Sequence, residues 1–144
     1  MRHKLLVIHG PNLNMLGKRE PKTYGTDTME EINARIVSYG AQADIAVDTF
    51  QSNHEGDIVE KVQQADTYDA LIINPAAYTH TSIAIRDAVL LLNIPVIEIH
   101  LSNIYKRESF RHKSLLCDVV TGQIAGFGMH GYVMAIDAVK NILE

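Results

Sequence analysis

The stretch from residue 70 to residue 82 constrains the fold of this chain more than any other. It begins with an apolar run, residues 70–73, which indicates a strand buried on both faces, and it breaks at Asn74-Pro75. A helix with an apolar face begins at Thr81-Ser82, where a hydroxyl group can cap it. The stretch between strand and helix holds more hydrogen-bonding groups than a turn needs. It therefore predicts a binding site at the carboxyl end of a strand, in preference to a capped loop with spare polar side chains.

Apolar runs alternate with helical patterns along the whole chain, which is typical of an α/β domain. The first helix is predicted to open at Thr28, whose spacing to Glu31 matches a capping box, and to end at Gly40. The pattern favours a flavodoxin-like fold, with five parallel strands in the order 2-1-3-4-5 and helices on both faces, as one domain over residues 1–144. The predicted strands are residues 5–8, 45–50, 70–73, 96–100 and 117–124, and the last predicted helix is residues 132–143.

The composition limits the kinds of partner. The net charge of -4 over 144 residues argues against nucleic acid or an anionic membrane as the main partner, although basic residues can still bind a small anion locally. No apolar run approaches the roughly 20 residues of a membrane span. The single cysteine excludes a disulfide within the chain, and together with the short apolar start it predicts a cytoplasmic protein.

Two other predicted strands also end in polar residues. Residues 51–56 follow the second strand, and residues 101–113, which are basic, follow the fourth. The first strand leads into residues 13–25, a segment without a steady period whose most reactive side chains are Arg19 and Tyr24. Tyr24 could act as a base only with positive charge nearby. From spacing alone, a solvated arginine and an anchoring aromatic ring are the more ordinary interpretation.

Glu98 and His100 lie two residues apart on the fourth predicted strand, so their side chains point to the same face. A carboxylate beside an imidazole fixes the tautomer of the ring and favours its protonated form, which supplies a general acid near neutral pH. The alternative is a structural ion pair that closes the strand. Because a buried ion pair adds little stability compared with apolar side chains, catalysis is the favoured interpretation.

A further set of polar residues, spread over two strand ends, could bind a carboxylate that carries several hydroxyl groups. Arg111 suits two-point contact with the carboxylate, and Ser102 offers a hydroxyl group beside a backbone N–H. Asn74 and His80 would add contacts from the neighbouring strand end. Ordinary hydrogen bonding within the loops explains the same residues equally well.

Two rival chemistries are weaker interpretations. The glycines at 126, 128 and 131 have dinucleotide-binding spacing, but they precede the last helix instead of following the first strand, so close helix packing is favoured. His80, Asp87, Glu98 and His100 include metal-binding groups, but no HExxH, His-x-x-x-His or CxxC spacing is present and no metal is expected. A metal-dependent hydrolase and a non-enzymatic module that binds an anion or a nucleotide are therefore the alternative functions.

Taken together, the polar blocks resemble those of the type II 3-dehydroquinate dehydratase family. The resemblance covers almost the whole chain, in the order and at the spacing of the family. The matching blocks are residues 12–17 (NLNMLG), 19–21 (REP) with 24–25 (YG), 51–56 (QSNHEG), 73–82 (INPAAYTHTS) with 85–88 (IRDA), 98–103 (EIHLSN) with Arg107, Phe110 and Arg111, and 124–128 (IAGFG) with 131–132 (GY).

The resemblance implies a flavodoxin-like lyase that needs no cofactor and that assembles as a homododecamer of four trimers. The implied reaction is the anti-elimination of water from 3-dehydroquinate to give 3-dehydroshikimate through an enolate. This reaction serves the shikimate pathway of aromatic amino-acid biosynthesis or the breakdown of quinate. Tyr24 is implied to remove the proton alpha to the ketone, while Arg19, helped by Arg107, makes Tyr24 more acidic and stabilises the transition state. Asn12 is implied to hold a water at the enolate.

The resemblance also implies how the elimination ends. His100, backed by Glu98, matches the residue that protonates the leaving hydroxyl group. Asp87 matches a position that serves the site of a neighbouring subunit. The positions that match substrate-binding residues of the family are Asn74, His80, Leu101, Ser102 and Arg111.

Overall fold

The computed structural model describes residues 1–18 and 26–144. Its five parallel strands pair in the order β2-β1-β3-β4-β5, which confirms the predicted flavodoxin-like order. The strands are β1 His3–His9, β2 Ile45–Gln51, β3 Ala70–Asn74, β4 Val96–His100 and β5 Gly122–Ala125, and the helices are α1 Met29–Gln42, α2 Glu55–Gln63, α3 Ile83–Leu90 and α4 His130–Leu143. Within the described ranges, no helix is long and apolar enough to cross a bilayer.

Both faces of the sheet are covered by helices. Leu5 and Val7 of β1 belong to the apolar cluster that includes α1 and α4, whereas Leu6 and Ile8 belong to the cluster that includes α2 and α3. All four side chains are fully buried. Because successive side chains of a strand point to opposite faces, a strand covered on both sides must be a continuous apolar run, and this is why the sequence predicts it well.

The first helix begins as predicted and ends later than predicted. The hydroxyl oxygen of Thr28 accepts the N–H of Glu31 at 3.2 Å and caps α1. The helix then continues past Gly40 to Gln42, so the predicted end at Gly40 is wrong. A Cβ at Gly40 would lie 2.5 Å from a methyl carbon of Val47, which shows that the glycine is there to let α1 approach β2.

The fifth strand is shorter than predicted. Residues 117–121 form turns instead of a strand, and β5 covers Gly122–Ala125 alone. The N–H groups of Val119 and Val120 both bond to the carbonyl of Leu116, which curls the chain. The Arg86 side chain holds this turn through the carbonyl of Leu115 and the carboxylate of Asp118. The apolar run at this point therefore reflects packing of a turn against the core.

The glycine-rich segment before α4 supports the packing interpretation. A Cβ at Gly131 would lie 3.1 Å from a methyl carbon of Ile99, so the first turn of α4 sits directly on β4. Gly126 has a φ of 100° and turns the chain from β5 toward the helix. These glycines thus serve the contact between helix and sheet, as the sequence predicts.

Gly10 is expected to tolerate no side chain, because β1 and β3 end side by side at this residue. Its N–H donates to the carbonyl of Asn74 at 2.7 Å, and a Cβ would lie 2.5 Å from the carbonyl oxygen of Pro75. Gly10→Ala is expected to lower the free energy of unfolding by about 1–3 kcal/mol, because the two backbones must move apart. Urea unfolding measures the loss.

Gly56→Ala is the matched control, because a Cβ at Gly56 would meet no atom within 4 Å. Gly56 lies in α2, where alanine favours the helix by about 1 kcal/mol, so this variant should be slightly more stable than the parent. Equal losses in the two variants would contradict the close approach of β1 and β3.

Candidate active site

A cleft opens at the edge of the sheet where β1, β3 and β4 end, which is the predicted position. Its cavity volume is about 130 Å³. Sites for drug-sized ligands measure roughly 300–1,000 Å³, so this cleft suits one small molecule better than a dinucleotide. The predicted site residues that line it are Asn12, Asn74, His80, His100, Leu101, Ser102, Arg107 and Arg111.

The remaining predicted residues lie elsewhere. Glu98 is fully buried behind the wall of the cleft, where it contacts His100. Asp87 lies on the exposed side of α3 and does not line the cleft of its own chain. Arg19 and Tyr24 lie outside the described residues. The described part of the cleft therefore contains the predicted acid and ligand-binding groups, and the assignment of Tyr24 as base stays a prediction.

His100 and Glu98 form a buried pair at the carboxyl end of β4, on the same face of the strand as predicted. Nε2 of His100 lies 2.5 Å from Oε2 of Glu98, and the two side chains are 7% and 0% exposed. The pair occupies Nε2, and among the described residues no group hydrogen-bonds to Nδ1. Nδ1 is therefore the ring nitrogen that can exchange a proton with a ligand in the cleft.

The carboxylate of Glu98 accepts hydrogen bonds from three side chains. Besides His100, the hydroxyl group of Ser114 donates to Oε2 at 2.8 Å and the amide of Gln123 donates to Oε1 at 3.0 Å. Burial alone would raise the pKa of Glu98, but these hydrogen bonds and the charge of His100 together hold it below its usual value. Glu98 is therefore an anion that keeps a proton on Nε2 of the ring.

Asn74 is held by contacts on both sides of its amide. Oδ1 accepts the N–H of Ala76 at 3.1 Å, and Nδ2 donates to the hydroxyl oxygen of Tyr132 at 3.5 Å. Because Nδ2 has no lone pair to offer, the Tyr132 proton points to Nδ1 of His9, 3.0 Å away. Nε2 of His9 in turn donates to Oδ1 of Asn33 at 2.8 Å. This chain of hydrogen bonds fixes the direction of the Asn74 amide and requires a neutral His9.

His80 contributes an acceptor to the cleft. Its Nδ1 lies 2.8 Å from the carbonyl oxygen of Lys113, and since a carbonyl can only accept, Nδ1 carries the proton. Partial burial lowers the pKa of His80, so the ring is neutral near pH 7. Nε2 is then available to accept a hydrogen bond from a hydroxyl group of a ligand.

Arg107 and Arg111 give one wall of the cleft a positive charge. Oε1 of Glu108 lies 3.0 Å from Nε of Arg111 and 3.8 Å from Nε of Arg107, so one carboxylate orients both side chains. Both guanidinium groups line the cleft. The wall therefore suits an anionic group, and a carboxylate matches the planar fork of a guanidinium group well.

The polar end of β2 supports the cleft from outside. Oδ1 of Asn53 accepts the N–H of Asn12 at 2.9 Å and also an amide N–H of Gln51 at 3.1 Å. Gln51 further donates to the carbonyl of Gly10 at 3.1 Å. These contacts hold Asn12, whose backbone is left-handed with a φ of 68°, at the mouth of the cleft. The second polar strand end thus positions a loop and does not contact the ligand space itself.

The residues that could have formed a metal site do not come together. Across residues 1–18 and 26–144, no three His, Cys, Asp or Glu side chains lie close enough to share a metal ion. His80 and His100 both line the cleft, but Asp87 lies apart from them on α3. The donor set therefore does not support the metal-dependent alternative.

Known proteins resemble this chain over nearly its whole length. A family model described as dehydroquinase class II matches residues 3–140. A 3-dehydroquinate dehydratase from Francisella philomiragia is 58% identical over 139 residues, which cover 96% of this chain and 95% of that one. The crystal structure of a type II dehydroquinase from Propionibacterium acnes superposes with a TM-score of 0.95, at 42% identity and over 98% of both chains. One from Butyrivibrio crossotus gives 0.93 at 48% identity, over 95% of this chain and 97% of that one.

His9 is expected to make stability depend on pH. Burial lowers the pKa of His9 from 6.5 to about 4 in the folded protein, so between these values the unfolded chain binds more protons than the folded one. Stability should therefore fall as the pH drops from 6.5 toward 4, by about 3 kcal/mol once His9 is fully protonated in both states.

His9→Gln cannot take up a proton and should lose less stability over the same range. Urea unfolding at several pH values compares the two proteins, and all other titrating groups act equally in both. Parallel pH dependence in the two proteins would contradict a neutral buried His9.

Proposed function

The chain belongs to the dehydroquinase class II family, and on that basis we propose that it is a 3-dehydroquinate dehydratase. It eliminates water from 3-dehydroquinate to give 3-dehydroshikimate, a step of the shikimate pathway. The observation that carries the proposal is the buried pair of Glu98 and His100, whose Nδ1 serves a cleft lined by groups that suit a small hydroxylated carboxylate. The enzyme is expected to work in the cytoplasm, without a metal or a cofactor.

The first step removes a proton alpha to the ketone of the substrate. The family resemblance assigns this proton to the phenolate of Tyr24, with Arg19 close to it in sequence. A free phenol titrates at about pH 10, so positive charge is needed to make it a base near neutral pH, and Arg107 adds such charge to the cleft wall. The electron pair passes into an enolate, which a water held by Asn12 stabilises.

The second step expels the hydroxyl group as water. His100 gives the proton on Nδ1 to the leaving oxygen and keeps the proton on Nε2 in its hydrogen bond with Glu98. The enolate collapses to the double bond as the carbon–oxygen bond breaks. The proton gained by the phenol and the proton lost by the imidazole are then re-equilibrated with solvent, which returns the enzyme to its starting state.

The other groups of the cleft match the rest of the substrate. A guanidinium group at Arg111 and the hydroxyl group of Ser102 suit the carboxylate, with the backbone of Leu101 beside them. The directed amide of Asn74 and the neutral ring of His80 suit the hydroxyl groups. These assignments agree with the substrate-binding positions that the family resemblance implies.

We also propose that the enzyme acts as a homododecamer of four trimers, in which Asp87 reaches the cleft of a neighbouring subunit. The support is the surface of α3 and the turn that follows it. Ile83, Leu90 and Leu91 are 64%, 55% and 71% exposed, so large apolar side chains flank Asp87 on a surface that a second copy could cover. A carboxylate brought in this way would add a hydrogen-bond acceptor for the substrate.

When chelator-treated protein is mixed with 3-dehydroquinate, the ultraviolet absorbance of the solution is expected to rise. The product is a conjugated enone carboxylate that absorbs, and the substrate is not conjugated. No rise from folded protein would favour a binding module. A rise that appears only after zinc or manganese is added would favour metal-dependent chemistry.

The same assay tests the two proton-transfer residues. Tyr24→Phe and His100→Gln should each lower kcat by about 10²–10⁴-fold, while calorimetry shows that the substrate still binds. His130→Gln is the control, because His130 is exposed at the start of α4 and does not line the cleft. Near-full activity of Tyr24→Phe would show that another group is the base.

Light scattering is expected to give a particle of twelve times the 16.0 kDa chain mass. Asp87→Ala should keep this mass, because Asp87 is exposed and makes no contact, among the described residues, that holds its own subunit together. The variant should raise KM, because it loses a contact to the substrate in the neighbouring cleft. A fully active single chain would contradict both the assembly and the role of Asp87.

A further inference from the structure

Two residues outside the cleft hold the carboxylate that in turn holds His100. We propose that Ser114 and Gln123 are positioning residues for the catalytic acid His100, because they keep Glu98 ionised and so keep the proton on Nε2 of the ring. The inference rests on the proposed function, since it concerns the acid of the elimination. Neither residue belongs to the blocks that resemble the family, and neither lines the cleft.

The hydroxyl group of Ser114 donates its hydrogen bond to Glu98. Its Oγ lies 2.8 Å from Oε2 of Glu98, the oxygen that also contacts His100. The N–H of Leu116 donates to the same Oγ at 3.1 Å, which occupies a lone pair and leaves the hydroxyl proton directed at the carboxylate. Ser114 is 7% exposed, so water competes little for this proton.

Gln123 reaches the other oxygen of the same carboxylate from the neighbouring strand. Glu98 and Gln123 are direct partners in the register of β4 and β5, which places their side chains next to each other on one face of the sheet. Nε2 of Gln123 lies 3.0 Å from Oε1 of Glu98. Both carboxylate oxygens thus receive a neutral donor in addition to the imidazole.

These donors decide where the shared proton lies. Nε2 of His100 and Oε2 of Glu98 share one proton, and it resides on the stronger base of the two. Hydrogen bonds to a carboxylate favour its charged form. Ser114 and Gln123 therefore make Glu98 a weaker base, which leaves the proton on the ring and keeps the ring acidic enough to release the proton on Nδ1.

The charges around His100 make this control necessary. His80 from the segment after β3, and Arg107 and Arg111 from the loop after β4, line the cleft together with His100, and Glu108 accompanies the two arginines. The two arginines disfavour a positive charge on the imidazole, whereas ionised Glu98 favours it and neutral His80 adds no charge. The strength of Glu98 as a base therefore sets the pH range over which His100 can act as the acid.

Ser114→Ala is expected to lower kcat by about tenfold and to move the basic limb of the kcat–pH profile to higher pH by about one unit. Without the serine donor, Glu98 becomes more basic and the pair binds its proton more tightly, so the acid is present at higher pH but gives up its proton less readily. Gln123→Leu should move the limb in the same direction and provides a second variant at the edge of the sheet. Ser114→Thr keeps the hydroxyl group and should restore the original profile.

Ser52→Ala is the matched control. Ser52 is also 7% exposed, also donates to a carboxylate, Asp57 at 3.2 Å, and also accepts the N–H two residues later, from His54 at 3.0 Å. It lies at the end of β2, away from the cleft. Removal of the Ser52 hydroxyl group should lower the free energy of unfolding about as much as Ser114→Ala does, and it should leave the kcat–pH profile unchanged. A lower kcat with an unmoved limb in Ser114→Ala and Gln123→Leu would mean that both act on structure alone and would overturn the inference.

The titration of the His100 ring, followed by NMR in the free protein, separates this inference from the proposed function. Ser114→Ala should shift the titration of the ring to higher pH even where no substrate is present. An unshifted titration would overturn the inference. A shifted titration in a protein whose wild type does not turn over 3-dehydroquinate would support the inference and overturn the proposed function alone.

Discussion

The parallel pairing of β1, β3 and β4 brings together the functional groups that lie at the carboxyl ends of these three strands. The register sets His9 beside Asn74 and Ile73 beside Glu98, so the carboxyl ends of three central strands meet at one edge. A slip of one residue in β4 would exchange the faces of its side chains and turn both Glu98 and His100 away from their partners. The apolar residues of these strands, which are buried on both faces, make such a slip costly. Core packing thus fixes the catalytic register.

The edge of the sheet carries polar groups that the core itself could not stabilise. Glu98 is fully buried, His9 is fully buried, and each would be costly there without partners. Three hydrogen-bond donors offset the cost of burying Glu98. One donor and one acceptor, at the two ring nitrogens, offset the cost of burying His9. The protein therefore accepts buried polar groups at one edge and arranges them so that each side chain has a single allowed direction.

The sequence predicts the strand order and most of the cleft because these depend on local patterns. Apolar runs identify the buried strands, and polar residues directly after them identify the edge. The predicted end of α1 was wrong, because Gly40 is required by a contact with β2 and not by the end of the helix. The predicted start of β5 was wrong, because residues 117–121 pack as a turn. Ser114 and Gln123 contact Glu98 from 16 and 25 residues further along the chain, and Gln123 could be found only once the register of β5 was known. No local pattern marks such roles.

The hydrogen bonds of Asn74 have a consequence for the order in which the molecule matures. Its amide is directed by Tyr132, 58 residues further along the chain, and Tyr132 is oriented by His9, 123 residues before it. A growing chain can form β1, α2 and β3 and pack them together well before α4 exists. The walls of the cleft can therefore form early, whereas the hydrogen bonds that align the Asn74 amide form only when α4 packs against the sheet. A nascent chain would then hold a folded site whose donors and acceptors are not yet aligned.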